Sequence, residues 1–208
     1  MKKIAITAAL LLAVAYFFAG GTINNWPITN DPPRSGSRII AFGDSLTRMP
    51  GELGLKTYPD FLSGMIGKEI ENAGVPGNTT EDAIRRVERD VLARDPRVVL
   101  VLLGGNDYLR RQPMDSIIDN LRRLIRMIQE EGALGVLVGL EGPALLGRTG
   151  EEEFRALAKE TGAVLVPDIL GGILSDPALR FDSIHPNEKG AQIMAERINK
   201  TAGEYLRR

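Results

Sequence analysis

Residues 98–107 read VVLVLLGGND, and their reading decides the fold. Six apolar residues run without a polar break, rich in β-branched valine, and a glycine pair ends them. Such a run is what a strand buried on both faces of a parallel sheet requires. Shorter runs of the same kind stand at Ile39–Phe42, Val136–Leu140 and Ala163–Val166, with a weaker one from Ile70 to Ala73. Between them lie amphipathic stretches. From Met114 to Glu131, residues Ile117, Ile118, Leu121, Leu124, Ile125 and Ile128 recur at helical spacing, and Gly132 closes the helix. Helices are also predicted at Glu151–Thr161, at Asn187–Leu206 with Pro186 in the first turn, and from Thr80 to about Leu92 with Asn78 or Thr79 as cap. Strands separated by helices imply an α/β fold, a parallel sheet covered on both faces. In such sheets ligands bind beyond the carboxyl ends of the strands.

The 208 residues suffice for one such domain. With 26 basic and 27 acidic side chains the net charge is −1, which offers no excess of cations to a phosphate backbone, so nucleic acid is not an expected partner. One histidine and no cysteine leave the common zinc arrangements without ligands, and dinucleotide and P-loop signatures are absent; we expect neither metal nor cofactor. At the start, Met1-Lys2-Lys3 precedes an unbroken apolar run from Ile4 to Ala19. This pattern predicts a signal peptide or N-terminal membrane anchor over residues 1–21, with export to the periplasm or cell envelope and membrane association through residues 4–19. Residues 22–37, rich in Gly, Pro, Asn and Ser, read as a linker, and residues 38–208 as the functional domain.

The chemistry-bearing residues fall in the loops after the strands. Gly43-Asp44-Ser45-Leu46 follows the first, Gly74-Val75-Pro76-Gly77-Asn78 the second, and Gly104-Gly105-Asn106-Asp107 the third; Asp182-Ser183-Ile184-His185-Pro186 precedes the last helix. A serine hydroxyl is a weak nucleophile until a base takes its proton. If histidine is that base it must be His185, and Asp182, three residues earlier, can reach the imidazole around a tight turn and stabilise its charged form. The oxyanion that forms on an attacked carbonyl needs donors. Backbone N–H groups at Ser45 and Gly77 and the side-chain amide of Asn106 are suitable. Taken singly, Ser45 can be a helix cap, Asn106 and Asp107 a turn, Gly77 a left-handed position and His185 a packing residue. Asp44 reads as a structural support for the turn under Ser45, and Asp107 as a support for its neighbour. The arginines at 85, 86, 89, 110, 111, 122, 123 and 126, interleaved with acids, read as solvated helix faces.

Together, Ser45 in GDSL, Gly77 in NAGVPGNTT, Asn106 in GGND and His185 in DSIHP resemble the four ordered blocks of the GDSL, or SGNH, hydrolase family. The resemblance runs from about Arg38 to the last helix. It implies a three-layer α/β/α sandwich with five parallel strands in order 2-1-3-4-5, catalytic Ser45, Asp182 and His185, and an oxyanion hole of Ser45, Gly77 and Asn106. It also implies a cofactor-free serine esterase that forms an acyl-enzyme. Small bacterial members with thioesterase, lysophospholipase and arylesterase activities look most alike, so small acyl esters, thioesters or lysophospholipids are the expected substrates of an expected monomer. A carbohydrate O-acetyl esterase is the alternative enzyme, and a membrane-tethered binding protein without turnover the alternative class. Glu141–Arg148 matches no substrate-binding pattern, and the short region around Arg180 and Phe181 predicts an open cleft.

Overall fold

The computed structural model describes residues 23–49, 54–140 and 147–208. The expected signal or anchor segment lies outside these residues, as does most of the Glu141–Arg148 segment. No described helix is long and apolar enough to cross a membrane.

Five strands, β1 (Arg38–Gly43), β2 (Ile70–Gly74), β3 (Pro96–Leu102), β4 (Leu134–Val138) and β5 (Val164–Val166), pair in parallel in the order β2-β1-β3-β4-β5. The VVLVLL run supplies most of the central strand, and its six side chains have no exposure at all. Burying each Val or Leu contributes about 1.5–3 kcal/mol. The helices are α1 (Tyr58–Ile66), α2 (Thr80–Asp90), α3 (Gly105–Leu109), α4 (Met114–Glu130), α5 (Gly147–Thr161) and α6 (Glu188–Arg207), with a 3₁₀ turn at Leu92–Arg94. α1 packs against α6 on one side of the sheet, while α4 packs between α2 and α5 on the other. All six apolar residues predicted to face the core from α4 are buried. The architecture is the expected three-layer sandwich with strand order 2-1-3-4-5.

Three local readings need correction. α1 and α3 were not among the helices expected; α1 buries Tyr58, Leu62 and Ile66 at four-residue spacing between a Thr57–Asp60 capping box and left-handed Gly67 at φ +68°, whereas α3 has only five residues. Pro186 is not in the first turn of α6. Asn187 is the cap, accepting from the Gly190 N–H, and Pro186 bridges back to Arg180 ahead of the helix. The strand expected at Val136–Leu140 sits two residues earlier: Leu134 and Gly135 already pair with Val98 and Val99 of β3, and beyond Val138 the Gly139 carbonyl turns to the Ile169 N–H.

The stretch expected to be a linker lies against the domain over its described residues. Leu165 on edge strand β5 donates its N–H to Asn24 Oδ1 at 2.7 Å and accepts from Asn24 Nδ2 at 3.3 Å. Trp26, buried, donates its indole N–H to Ala163 O at 3.0 Å. Asn30 Nδ2 donates to Gln129 O and Ala133 O, at 2.8 and 2.9 Å. This strap occupies the open hydrogen-bonding edge that β5 would otherwise present. Its polar side chains do what a strand's backbone does, so no apolar period announces it.

Strand register positions the site. Gly43 is level with Gly74 on one side and Leu102 on the other. The chain therefore leaves β1, β2 and β3 at one edge of the sheet, and the loops bearing Ser45, Gly77 and Asn106 emerge together.

Candidate active site

Gly43 ends β1 where no side chain fits: a Cβ there would lie 2.1 Å from Thr47 Oγ1 and 2.7 Å from Leu102 O. The following turn is organised by Asp44. Its backbone carbonyl accepts from the Thr47 and Arg48 N–H groups, and its carboxylate accepts from the Leu46 N–H at 2.9 Å and from Asn106 Nδ2 at 3.1 Å. Asp44 is only 2% exposed. Burial pushes its pKa up to about 6, against the opposing pull of the Leu46 and Asn106 hydrogen bonds and the nearby His185. The turn presents Ser45 outward.

Ser45 and His185, 140 positions apart in the chain, meet with Oγ 2.9 Å from Nε2. His185 Nδ1 lies 2.8 Å from Asp182 Oδ2. The other carboxylate oxygen of Asp182 accepts from the Ile184 and His185 N–H groups, each at 2.8 Å. The same aspartate therefore shapes the turn and aims the ring. Partial burial raises its pKa, but the hydrogen bonds from the His185 ring and the two N–H groups outweigh this and hold it below the usual carboxylate range. An ionised Asp182 only accepts, so the imidazole proton sits on Nδ1 and the Nε2 lone pair faces the Ser45 hydroxyl.

The expected oxyanion donors border the same site. Gly77 adopts φ +78°, a left-handed conformation suited to glycine. Among the described residues, neither the Ser45 nor the Gly77 N–H donates to a protein acceptor. Asn106 opens α3, and its amide donates to Asp44 Oδ2 and to Asn78 O, at 3.1 and 3.0 Å. Both of its N–H groups are engaged, so an oxyanion reaching it must share one of them. Asp107, buried behind, accepts from the Thr80 N–H and hydroxyl and ties α3 to the start of α2. Arg110 donates to Gly77 O at 2.9 Å.

Beside Ser45 lies a small recess lined by Leu46, Met49, Leu55, Pro186 and Met194 among others. A roomier cavity of about 710 Å³, lined by Thr79, Ile84, Asp107, Asn120 and Arg123 among others, lies behind the oxyanion loop. It holds no nucleophile next to a base, so size does not locate the chemistry. Five exposed large apolar residues sit near the site in sequence: Val75 on the Gly77 loop, Tyr108 and Leu109 in α3 after Asn106, and Phe181 and Ile184 flanking Asp182 and His185.

Of the five site residues expected from the sequence, Ser45, Gly77, Asp182 and His185 stand on loops and Asn106 in the first turn of α3, and the structure brings all five together at one end of the sheet. One residue of the neighbourhood was misread. Arg86, grouped with the solvated arginines, is buried beneath these loops. Its spacing carried the signal: at i+3 from Ala83 and beside Val87 it falls on the buried face of α2, while Arg85 and Arg89 fall off that face.

A parallel sheet that brings a hydroxyl, an imidazole and a carboxylate into one hydrogen-bonded line belongs to the serine hydrolases. More narrowly, residues 41–193 match the GDSL-like Lipase/Acylhydrolase family, and the chain is a member of that family. It is 26% identical over 186 residues to an arylesterase of Vibrio mimicus, covering 83% of this chain and 92% of the relative. It is 28% identical over 169 residues to the thioesterase 1/protease 1/lysophospholipase L1 of Escherichia coli strain K12, covering 78% and 81%. The crystal structure of TesA superposes with a TM-score of 0.72 at 25% identity, covering 82% of this chain and all of that one. The protein is a GDSL-type serine esterase.

Proposed function

We propose that Ser45, His185 and Asp182 hydrolyse esters through an acyl-enzyme. The observation that carries this reading is the continuous line from the Asp182 carboxylate through the imidazole to Ser45 Oγ, with both links under 3 Å. His185 Nε2 takes the hydroxyl proton as Oγ bonds to the acyl carbon. The N–H groups of Ser45 and Gly77, with the Asn106 amide, hold the resulting oxyanion. The tetrahedral adduct collapses, and the imidazolium gives its proton to the leaving alcohol or thiol. Water, deprotonated by the same imidazole, then attacks the acyl carbon, the bond to Oγ breaks, and Ser45 recovers its proton as the acid departs.

The substrates proposed are small acyl esters, thioesters or lysophospholipids. The apolar residues near the site in sequence support a substrate with a hydrocarbon part, since exposed Tyr, Leu, Phe and Ile gain by covering one. The arylesterase and thioesterase/lysophospholipase relatives point the same way. The lysine-led apolar run at residues 2–19 supports export to the cell envelope, where residues 38–208 would act as the catalytic domain.

The test is hydrolysis of p-nitrophenyl esters from acetate to octanoate by the protein and by Ser45→Ala. A burst of nitrophenol that the substitution abolishes, with kcat/KM rising along the series, is the expected result. Equal turnover by both proteins overturns the mechanism. Turnover confined to acetate overturns the choice of substrate and favours an O-acetyl esterase.

A further inference from the structure

Arg86 stands on α2 between Arg85 and Arg89, whose side chains are 65% and 78% exposed, yet its own side chain is 9% exposed. Its guanidinium makes four hydrogen bonds. Nε donates to Asn78 Oδ1 at 2.6 Å, Nη2 to Gly43 O at 2.9 Å, and Nη1 to both Ala73 O at 2.8 Å and Asp90 Oδ2 at 3.1 Å. The Phe42 ring lies against the cation, 4.3 Å from centroid to guanidinium carbon.

Three of these acceptors lie on the segments that deliver the oxyanion groups. Gly43 immediately precedes Asp44 and Ser45, and its carbonyl also accepts from the Val75 N–H. Ala73 lies in β2, one residue ahead of the loop that carries Gly77. Asn78 follows Gly77, and its own carbonyl accepts from Asn106 Nδ2. One cation thus reaches the segments of Ser45 and Gly77 directly and that of Asn106 through a single residue. We infer that Arg86 is a positioning residue for the oxyanion hole, fixing the Gly43–Ser45 turn, the Gly77–Asn78 loop and, through Asn78, the Asn106 amide in one arrangement. The inference rests on the proposed reading of Ser45, Gly77 and Asn106 as the oxyanion donors. Preorganised donors stabilise the transition state because they need no rearrangement when charge develops. A misplacement of about 1 Å costs about 10²-fold in rate. The fork geometry explains why arginine is needed: one planar group serves acceptors in three directions, which a lysine ammonium cannot reproduce in register. A purely structural role, the buried pair with Asp90, would instead be felt in folding.

Arg86→Lys and Asn78→Ala test this, beside Ser45→Ala. The second substitution removes the link to the oxyanion loop and leaves the Arg86–Asp90 pair intact, so it decides the matter if Arg86→Lys does not fold. Each variant is measured for folded fraction by circular dichroism, for kcat and KM on p-nitrophenyl butyrate, and for inhibition by an alkylboronic acid, which forms a tetrahedral anion on the serine oxygen. Expected are falls in kcat per folded molecule of about 10²-fold for Arg86→Lys and about tenfold for Asn78→Ala. KM should stay within about threefold, and boronate affinity should weaken in proportion to kcat/KM. The inference is overturned if Asn78→Ala, and Arg86→Lys where it folds, keeps kcat per folded molecule and boronate affinity within about twofold of the parent. An active Ser45→Ala would instead remove the reading of the site itself. An inactive Ser45→Ala beside unaffected variants removes only the role of Arg86.

Discussion

Two aspartates serve this site from opposite environments. Asp44 lies under the nucleophile turn, almost wholly buried, and its carboxylate meets two N–H donors, one from the backbone and one from Asn106. Asp182 stands on the loop before α6 with 43% of its side chain in water, and meets two backbone N–H groups and the His185 ring. Burial raises the first to about 6, whereas hydrogen bonds lower the second despite partial burial. Residue type is the same, and the surroundings divide the work. An acid that stays ionised can stabilise an imidazolium through the reaction, while one that titrates near pH 6 is better suited to holding a turn and an amide in place.

The comparison is tested most severely by removing each carboxylate. Asp182→Ala should lower kcat by about 10⁴-fold, on the scale of serine triads that lose their acid, with the circular dichroism spectrum unchanged. If Asp44→Ala, measured beside it, lost as much while remaining folded, the two aspartates would not differ in kind.

A second test reads stability against pH. The Asp44 carboxyl is raised from 3.8 to about 6 in the folded protein, so its contribution is fully present below 3.8 and is lost as pH rises through about 6. At about 1.4 kcal/mol per pH unit, the linkage is on the order of 3 kcal/mol. In urea unfolding from about pH 4 to about pH 8, the parent should lose stability relative to Asp44→Asn. Asp182 has the opposite sign: its pKa is lowered below 3.8, so with unfolding extended below about pH 4 the parent should gain relative to Asp182→Asn as pH rises toward 3.8 and hold level above it. Two curves of the same slope would break the contrast. The smallest effect expected is on turnover by Asp44→Asn. An amide at this position must turn one N–H group toward the Leu46 or the Asn106 donor, and kcat at about pH 8 should fall about tenfold with KM unchanged. No change in kcat would mean that Asn106 keeps its place without the Asp44 carboxylate.

Much of this was legible in the chain and some was not. Strand β3 and helix α4 follow from their periods alone, because an uninterrupted apolar run and a 3.6-residue stripe each admit few alternatives. The four site blocks were visible as short motifs. Helix α3 was not, since five residues are too few to show an apolar stripe. The strap over β5 was hidden by its polarity, and Asn24 and Trp26 acquire a role only once Leu165 and Ala163 are beside them.

By itself, the sequence determined the α/β class, the sheet order through family resemblance, and which side chains could act as nucleophile, base, acid and donors. These are properties of local patterns and residue types. Only the tertiary structure decided which carboxylate is dry and which is wet, and which distant carbonyls the inward-facing Arg86 meets. It also showed that Asn106 spans Asp44 and Asn78. The reason is physical. Desolvation and hydrogen-bond partners are set by groups brought from distant positions, as Gly43 is brought to Arg86 and Ser45 to His185, and no local period encodes that approach.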